Sequence, residues 1–148
     1  MKKFIAFILL VTLIGLMGCS SEDEERLSFF QEYKAEQYTI EDHENAPTSE
    51  EIAERVKPYL TDEALKELKA SKKFNVMPAL AANRNKNIEF SNAEFSNKQE
   101  NDDGSIDYDY KLQLNVYNDS GSEPFTIVGE VTFINKDGEM KISRDQES

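Results

Sequence analysis

Alternation of apolar and polar residues is clearest in the second half of the chain. Ile106, Tyr108, Tyr110, Leu112, Leu114 and Val116 share one parity, and Asp107, Asp109, Lys111, Gln113 and Asn115 share the other, which predicts a strand with one buried face. Upstream, Ile88 and Phe90 alternate, then Ala93 and Phe95 continue on the opposite parity. That slip predicts a bulge near Ser91-Asn92 which keeps both pairs facing inward. Downstream, Phe125, Ile127, Val131 and Phe133 form a further inner face, with Gly129 where a bend or close approach is needed. Asn135-Lys136-Asp137-Gly138 signals a hairpin into a short last strand with Met140 and Ile142. The first half reads as helix. Leu27, Phe30 and Tyr33, with Phe29 beside them, mark one face over Glu24 to Gln37. Thr48-Ser49-Glu50-Glu51 has the form of a capping box, followed by Ile52, Val56 and Tyr59 or Leu60 up to Pro58, which ends or kinks that helix. Thr61-Asp62-Glu63 opens another helix with acids in its first turn and Leu65 and Leu68 inward. Phe74 to Ala82 predicts a short further turn around Pro78. Helices followed by strands predict an α+β domain.

One segment lies outside this plan. Phe4 to Met17 is an apolar run behind Lys2 and Lys3, shorter than the roughly 20 residues a membrane-spanning helix needs and of the length of a secretory signal. It ends in Leu16-Met17-Gly18-Cys19, which resembles the lipobox of bacterial lipoproteins, with Met17 the less common choice at its place. The resemblance implies cleavage between Gly18 and Cys19 and a thioether-linked lipid on Cys19. The chain has a single cysteine, so no internal disulfide is open to it. Two or three acyl chains, at about 0.8 kcal/mol per buried methylene, make a firm anchor. The expected layout is a leader over 1–18, a lipidated acidic tether over 19–26 (Ser20 to Arg26 reads SSEDEER and should be solvated), and one domain over 27–148. Loss of Lys2 and Lys3 takes the formal net charge from −12 to −14. Such an acidic body repels nucleic acid.

Three features of the remaining chain look like the nuclear transport factor 2-like (cystatin-like) superfamily found in Gram-positive lipoproteins and conjugation proteins. They are Pro58-Tyr59-Leu60-Thr61-Asp62-Glu63-Ala64-Leu65, the pair of long strands, and the closing hairpin Phe133 to Ile142, where Met140 replaces the aromatic residue of the usual Gly-x-Trp-Lys-Ile. The resemblance covers about Leu27 to Arg144. It implies helices packed on the concave face of a curved antiparallel sheet of about four strands, and it transfers no catalytic residue.

Candidate chemistry is sparse. His43, between Asp42 and Glu44, has no second imidazole or free thiol to join it, so a solvated loop is the expectation and no metal is assigned. Placing Gly104 at position six of a calcium loop puts Gln99 first and Tyr110 twelfth, and the pattern fails. Nucleophilic catalysis has no residue set. Tyr108 and Tyr110 face inward, but the two long strands offer no inward carboxylate to pair with them, so neither enzyme nor cofactor is expected. What remains is the outer face of the best strand: Asp107, Asp109, Lys111, Gln113 and Tyr117. It reads as a solvated sheet face or as a docking face for another cell-envelope protein, with Tyr117 a candidate anchor. By family analogy the process would be conjugation or entry exclusion. The alternative is a small ligand or cell-wall fragment held in the cone between helices and sheet.

Overall fold

The computed structural model describes residues 20–148. Cys19, Gly18 and the apolar leader lie outside the described residues. The elements follow in the order expected: helices α1 (Ser21–Tyr38), α2 (Ser49–Val56), α3 (Asp62–Ala70) and α4 (Val76–Arg84), then strands β1 (Asn87–Glu100), β2 (Ile106–Asn118), β3 (Gly121–Lys136) and β4 (Glu139–Glu147). The strands form one antiparallel sheet in sequence order. Among the described residues no helix is long and apolar enough to cross a membrane.

Local signals set the helix ends. Thr48 and Glu51 make both arms of the capping box, with Thr48 Oγ1 accepting from the Glu51 amide and Glu51 Oε2 accepting from the Thr48 amide at 2.8 Å. Thr61 caps α3 by accepting from the Ala64 amide. A single 3₁₀ turn over Lys57–Tyr59 absorbs Pro58, and α4 carries Pro78 in its first turn, where a missing amide hydrogen costs little.

The helices close over one face of the sheet. Phe30, Tyr33, Ile52, Val56, Leu60 and Leu68 meet Ile88, Ala93, Leu112, Leu114, Val116, Val131, Phe133 and Ile142 in one core. The Ser91 bulge is present as a register shift between Phe90 and Asn92, and a second shift lies between Ser96 and Gln99. Asp137 and Gly138 have φ of 55° and 83°, the conformation the two-residue hairpin requires.

Three elements differ from the sequence reading. The short turn expected around Pro78 is a nine-residue helix, α4. The acidic stretch Ser20 to Arg26, expected to be a solvated tether, is helical from Ser21. Ser20 caps that helix, Glu22, Asp23 and Glu24 sit in its first turn, where the dipole favours acids, and Asp23 is tied to the sheet. The last strand does not stop near Ile142 but runs to Glu147. An extra residue shifts its register between Thr132 and Phe133.

Candidate functional site

The chemistry of the interior comes from the two ends of the described chain. On α1, Phe30, Tyr33, Lys34, Gln37 and Tyr38 form a buried stripe, the spacing that puts residues on one helical face. One member is a lysine with no exposed surface. On β4, Phe133 pairs with Ile142 but Thr132 pairs with Arg144, leaving Ser143 as the extra residue. The bulge reverses the alternation beyond it. Ile142 faces the core before the bulge, and Asp145 and Glu147 face inward after it, where regular alternation would have sent Arg144 and Gln146.

These residues converge. Lys34 Nζ donates to Asp145 Oδ2 at 2.6 Å, to Gln37 Oε1 at 3.1 Å and to Glu147 Oε1 at 3.3 Å. Asp145 accepts as well from the hydroxyls of Tyr33 at 2.6 Å and Tyr110 at 2.8 Å. Tyr38 donates to Glu147, which also pairs with Lys73 at 2.9 Å. The rings of Phe30, Tyr33, Tyr38 and Tyr110 surround the ammonium with centroids at 5.5, 5.0, 5.2 and 5.1 Å, within cation–π range. Among the described residues every buried side-chain nitrogen and oxygen has a partner. Gly129 makes room for Tyr110, since a Cβ there would lie 2.5 Å from its hydroxyl.

Electrostatics follow from this packing. Burial alone pulls the Lys34 ammonium down, but Asp145, with Tyr33, Tyr110 and Glu147 around it, outweighs burial and holds its pKa well above the ordinary lysine value. Burial, then the charge of Asp145, pushes the Tyr33 phenol up; Tyr110 rises mainly through burial. The inward tyrosines take their carboxylates from elements other than the two long strands: Tyr108 from Asp23 on α1, and Tyr110 from Asp145 on β4. Lys34 neutralises Asp145, and both side chains are sealed from solvent in a closed ion pair.

The residues singled out on the outer face of β2 lie together there, with different duties. Asp107 is engaged inside the molecule, accepting from Thr132 Oγ1 at 2.6 Å and Asn101 Nδ2 at 3.0 Å. Asp109 accepts from Asn97 at 2.6 Å. Lys111 and Gln113 are exposed, and Tyr117 is half-buried. Lys111 stands beside Val128 in the register, one of the most exposed large apolar side chains among the described residues. A shallow open cleft of about 370 Å³ runs past Asp109, Lys111, Val128 and Glu130. A larger one, about 510 Å³, lies between the end of α1 and α2, with Glu36, Glu41, Asp42, Glu51 and Arg55 on its walls. His43 sits on the neighbouring loop, pinned through its backbone amide and Nδ1 to Asn87 Oδ1.

Lys34, Asp145 and Glu147 escape the sequence reading. The signal for Lys34 was its place at the inward spacing of Phe30, Tyr33, Gln37 and Tyr38. Nothing local marks Ser143 as a bulge.

Four helices packed on one face of an open four-stranded antiparallel sheet, in this order, make the nuclear transport factor 2-like fold. Solved structures share it across most of this chain at low identity. An IcmL-like type IV secretion system protein from Legionella pneumophila matches with a TM-score of 0.62 at 11% identity, over 88% of this chain and 94% of its own. The transfer protein TraH from the Gram-positive conjugative plasmid pIP501 matches at 0.58 and 19%, over 88% and 96%. The Agrobacterium tumefaciens VirB8 protein matches at 0.54 and 12%, over 88% and 94%. No family model matches the sequence, and no curated protein does.

Proposed function

We propose that this chain is a lipid-anchored, non-enzymatic interaction module on the extracytoplasmic face of a cell membrane, docking on another envelope protein through the outer face of its sheet. The observation that carries the reading is the filled interior. Where a binding member of this fold would hold a ligand, this chain places Lys34, Asp145, four aromatic rings and a complete set of hydrogen bonds. The alternative of a ligand in the cone therefore loses its room at the centre and keeps only a pocket of about 230 Å³ at the mouth, between Leu27, Phe95 and Tyr108, so we place contact with a partner on the surface. The cleft beside Lys111 and Val128, with Tyr117 farther along the strand, combines an exposed charge, an exposed apolar group and an aromatic residue, the composition of a docking face. Likeness in fold to proteins of type IV secretion and plasmid transfer makes a component of such a system, or a lipoprotein that blocks one, the first partner to look for. The anchor is Cys19, on the strength of Leu16-Met17-Gly18-Cys19.

Two measurements test the proposal. Metabolic labelling with a palmitate analogue should mark the wild-type chain and spare Cys19→Ala, which should leave the membrane fraction or persist as precursor; unchanged labelling removes the anchor. Photo-crosslinkers at Lys111 and Tyr117 in the native protein should capture one recurrent membrane protein. Their failure, with the protein at the surface, sets the face aside.

A further inference from the structure

The start of α1 leaves almost no slack between the lipid and the fold. If Cys19 carries the lipid, as proposed above, a single residue separates it from the first helical position, a reach of about 7 Å at full extension. That residue, Ser20, is itself held: its side chain accepts from the Asp23 amide at 3.3 Å. One turn on, Asp23 accepts from the Tyr108 hydroxyl and pairs with Lys98 at 3.0 Å and Arg26 at 3.1 Å. Farther along, Gln31 Nε2 donates to Ala93 O at 3.1 Å and to Asn92 Oδ1 at 3.3 Å. Phe30, Tyr33, Lys34 and Tyr38 are buried against the sheet, and past the helix end Ile40 pairs with Ile88. Among the described residues no hinge interrupts this line.

The same contacts order the helix against the strands. The N-terminus of α1 lies beside Lys98 and Tyr108, close to the β1–β2 hairpin at Asn101–Ser105. Ile106 pairs with Phe133, so the β3–β4 hairpin at Asp137-Gly138 is at that end too. The far end of α1 lies by Ile88, which pairs with Val116, next to the β2–β3 hairpin at Asp119-Ser120. The thirteen residues of β2 separate the ends by about 40 Å at roughly 3.3 Å each.

We infer that α1 is a rigid joint which stands the domain on the membrane in one orientation, with the β1–β2 and β3–β4 hairpins toward the lipid and the β2–β3 hairpin away from it. Charge does not produce this orientation. Glu22, Glu24, Glu25, Asp102, Asp103 and Asp137 outnumber Arg26, Lys98 and Lys136 at the lower end, so anionic headgroups repel it and the short joint must hold it down. The outer face of the sheet, running between the two ends, then looks sideways across the bilayer. A protein embedded in the same membrane can reach it.

The chain contains no tryptophan, so a single one reports its own height. The chain from Cys19 is coupled through its only thiol to a maleimide lipid in phosphatidylcholine vesicles carrying a dansyl-headgroup acceptor. Energy transfer from Asn135→Trp should exceed that from Asp119→Trp several-fold. A flexible Gly-Ser insertion between Ser20 and Ser21 should bring the two together. Equal transfer without the insertion, or stronger transfer from Asp119→Trp, overturns the orientation; a contrast that survives the insertion overturns α1 as its cause. Because the lipid is attached chemically, absence of lipid on Cys19 in cells would defeat the anchor reading without touching this result.

Discussion

Lys34 carries a charge where there is no water to solvate it, and its worth depends on Asp145 remaining opposite. Removing one partner of a buried pair costs about 3–5 kcal/mol, because the other is left uncompensated, whereas replacing both with apolar groups can be close to neutral. Lys34→Met should therefore lower stability by about 3–5 kcal/mol in urea unfolding, and Lys34→Met with Asp145→Leu should recover a large part of it. A double variant no more stable than the single one would mean that Tyr33, Tyr110 and Gln37, rather than the pair, dominate. Gly129 acts at the same scale. A methyl group there meets the Tyr110 ring and the Gln146 carbonyl, both at 2.5 Å, so Gly129→Ala should cost about 1–3 kcal/mol as overpacking and move Tyr110 off Asp145. A midpoint within error of wild type would refute the close approach.

The element that decides the interior is β4, and within it the extra residue at Ser143. In a regular strand a one-residue change flips every side chain beyond it. Here the bulge has already made the flip, so deleting Ser143 restores regular pairing and leaves Asp145 inward. The deletion should be tolerated, with the Lys34–Asp145 pair retained and near-ultraviolet circular dichroism like wild type; loss of the folded spectrum would show that the bulge itself is required. The strands legible from sequence were those whose alternation runs uninterrupted, above all β2. The slip in β1 was legible too, because apolar residues stand on both sides of Ser91. Beyond Ser143 the inward residues are Asp145 and Glu147, so no hydrophobic pattern reports the shift in β4. The apolar members of α1 mark it as a helix, whereas its acidic first turn has the composition of a tether, because solvated acid and capped helix start share it.

For the whole molecule, the titration of the interior sets a limit on alkaline stability. Burial, then the bond to Asp23, pushes the Tyr108 phenol up to about 12, and burial raises Tyr33 and Tyr110 as well, while unfolded tyrosine titrates near ~10. Lys34 is raised in the same sense. Between the unfolded and folded values the native chain holds protons that the unfolded chain releases, so stability falls as pH rises. The urea midpoint should lose these contributions progressively above about pH 10 and keep them below it. Tyr108→Phe should make the decline shallower; a midpoint that is level from pH ~9 to ~12 would contradict the burial of these groups.

The order of helices and strands, the capped helix starts, the hairpin turns, the bulge in β1 and the inward face of β2 are legible in the chain, because each rests on neighbours within a few residues. The acidic balance of the chain is read from the sequence in the same way. What fills the space between helices and sheet is set by contacts between distant parts of the chain. Lys34 and Asp145 stand 111 positions apart, and a lysine on an apolar helix face acquires its meaning only when a bulged strand brings a carboxylate to it. The Asp23–Tyr108 contact, 85 positions apart, decided in the same way that the acidic start of the domain is part of the fold. Pairing over such distances is fixed by the packing of the whole chain and leaves no local trace.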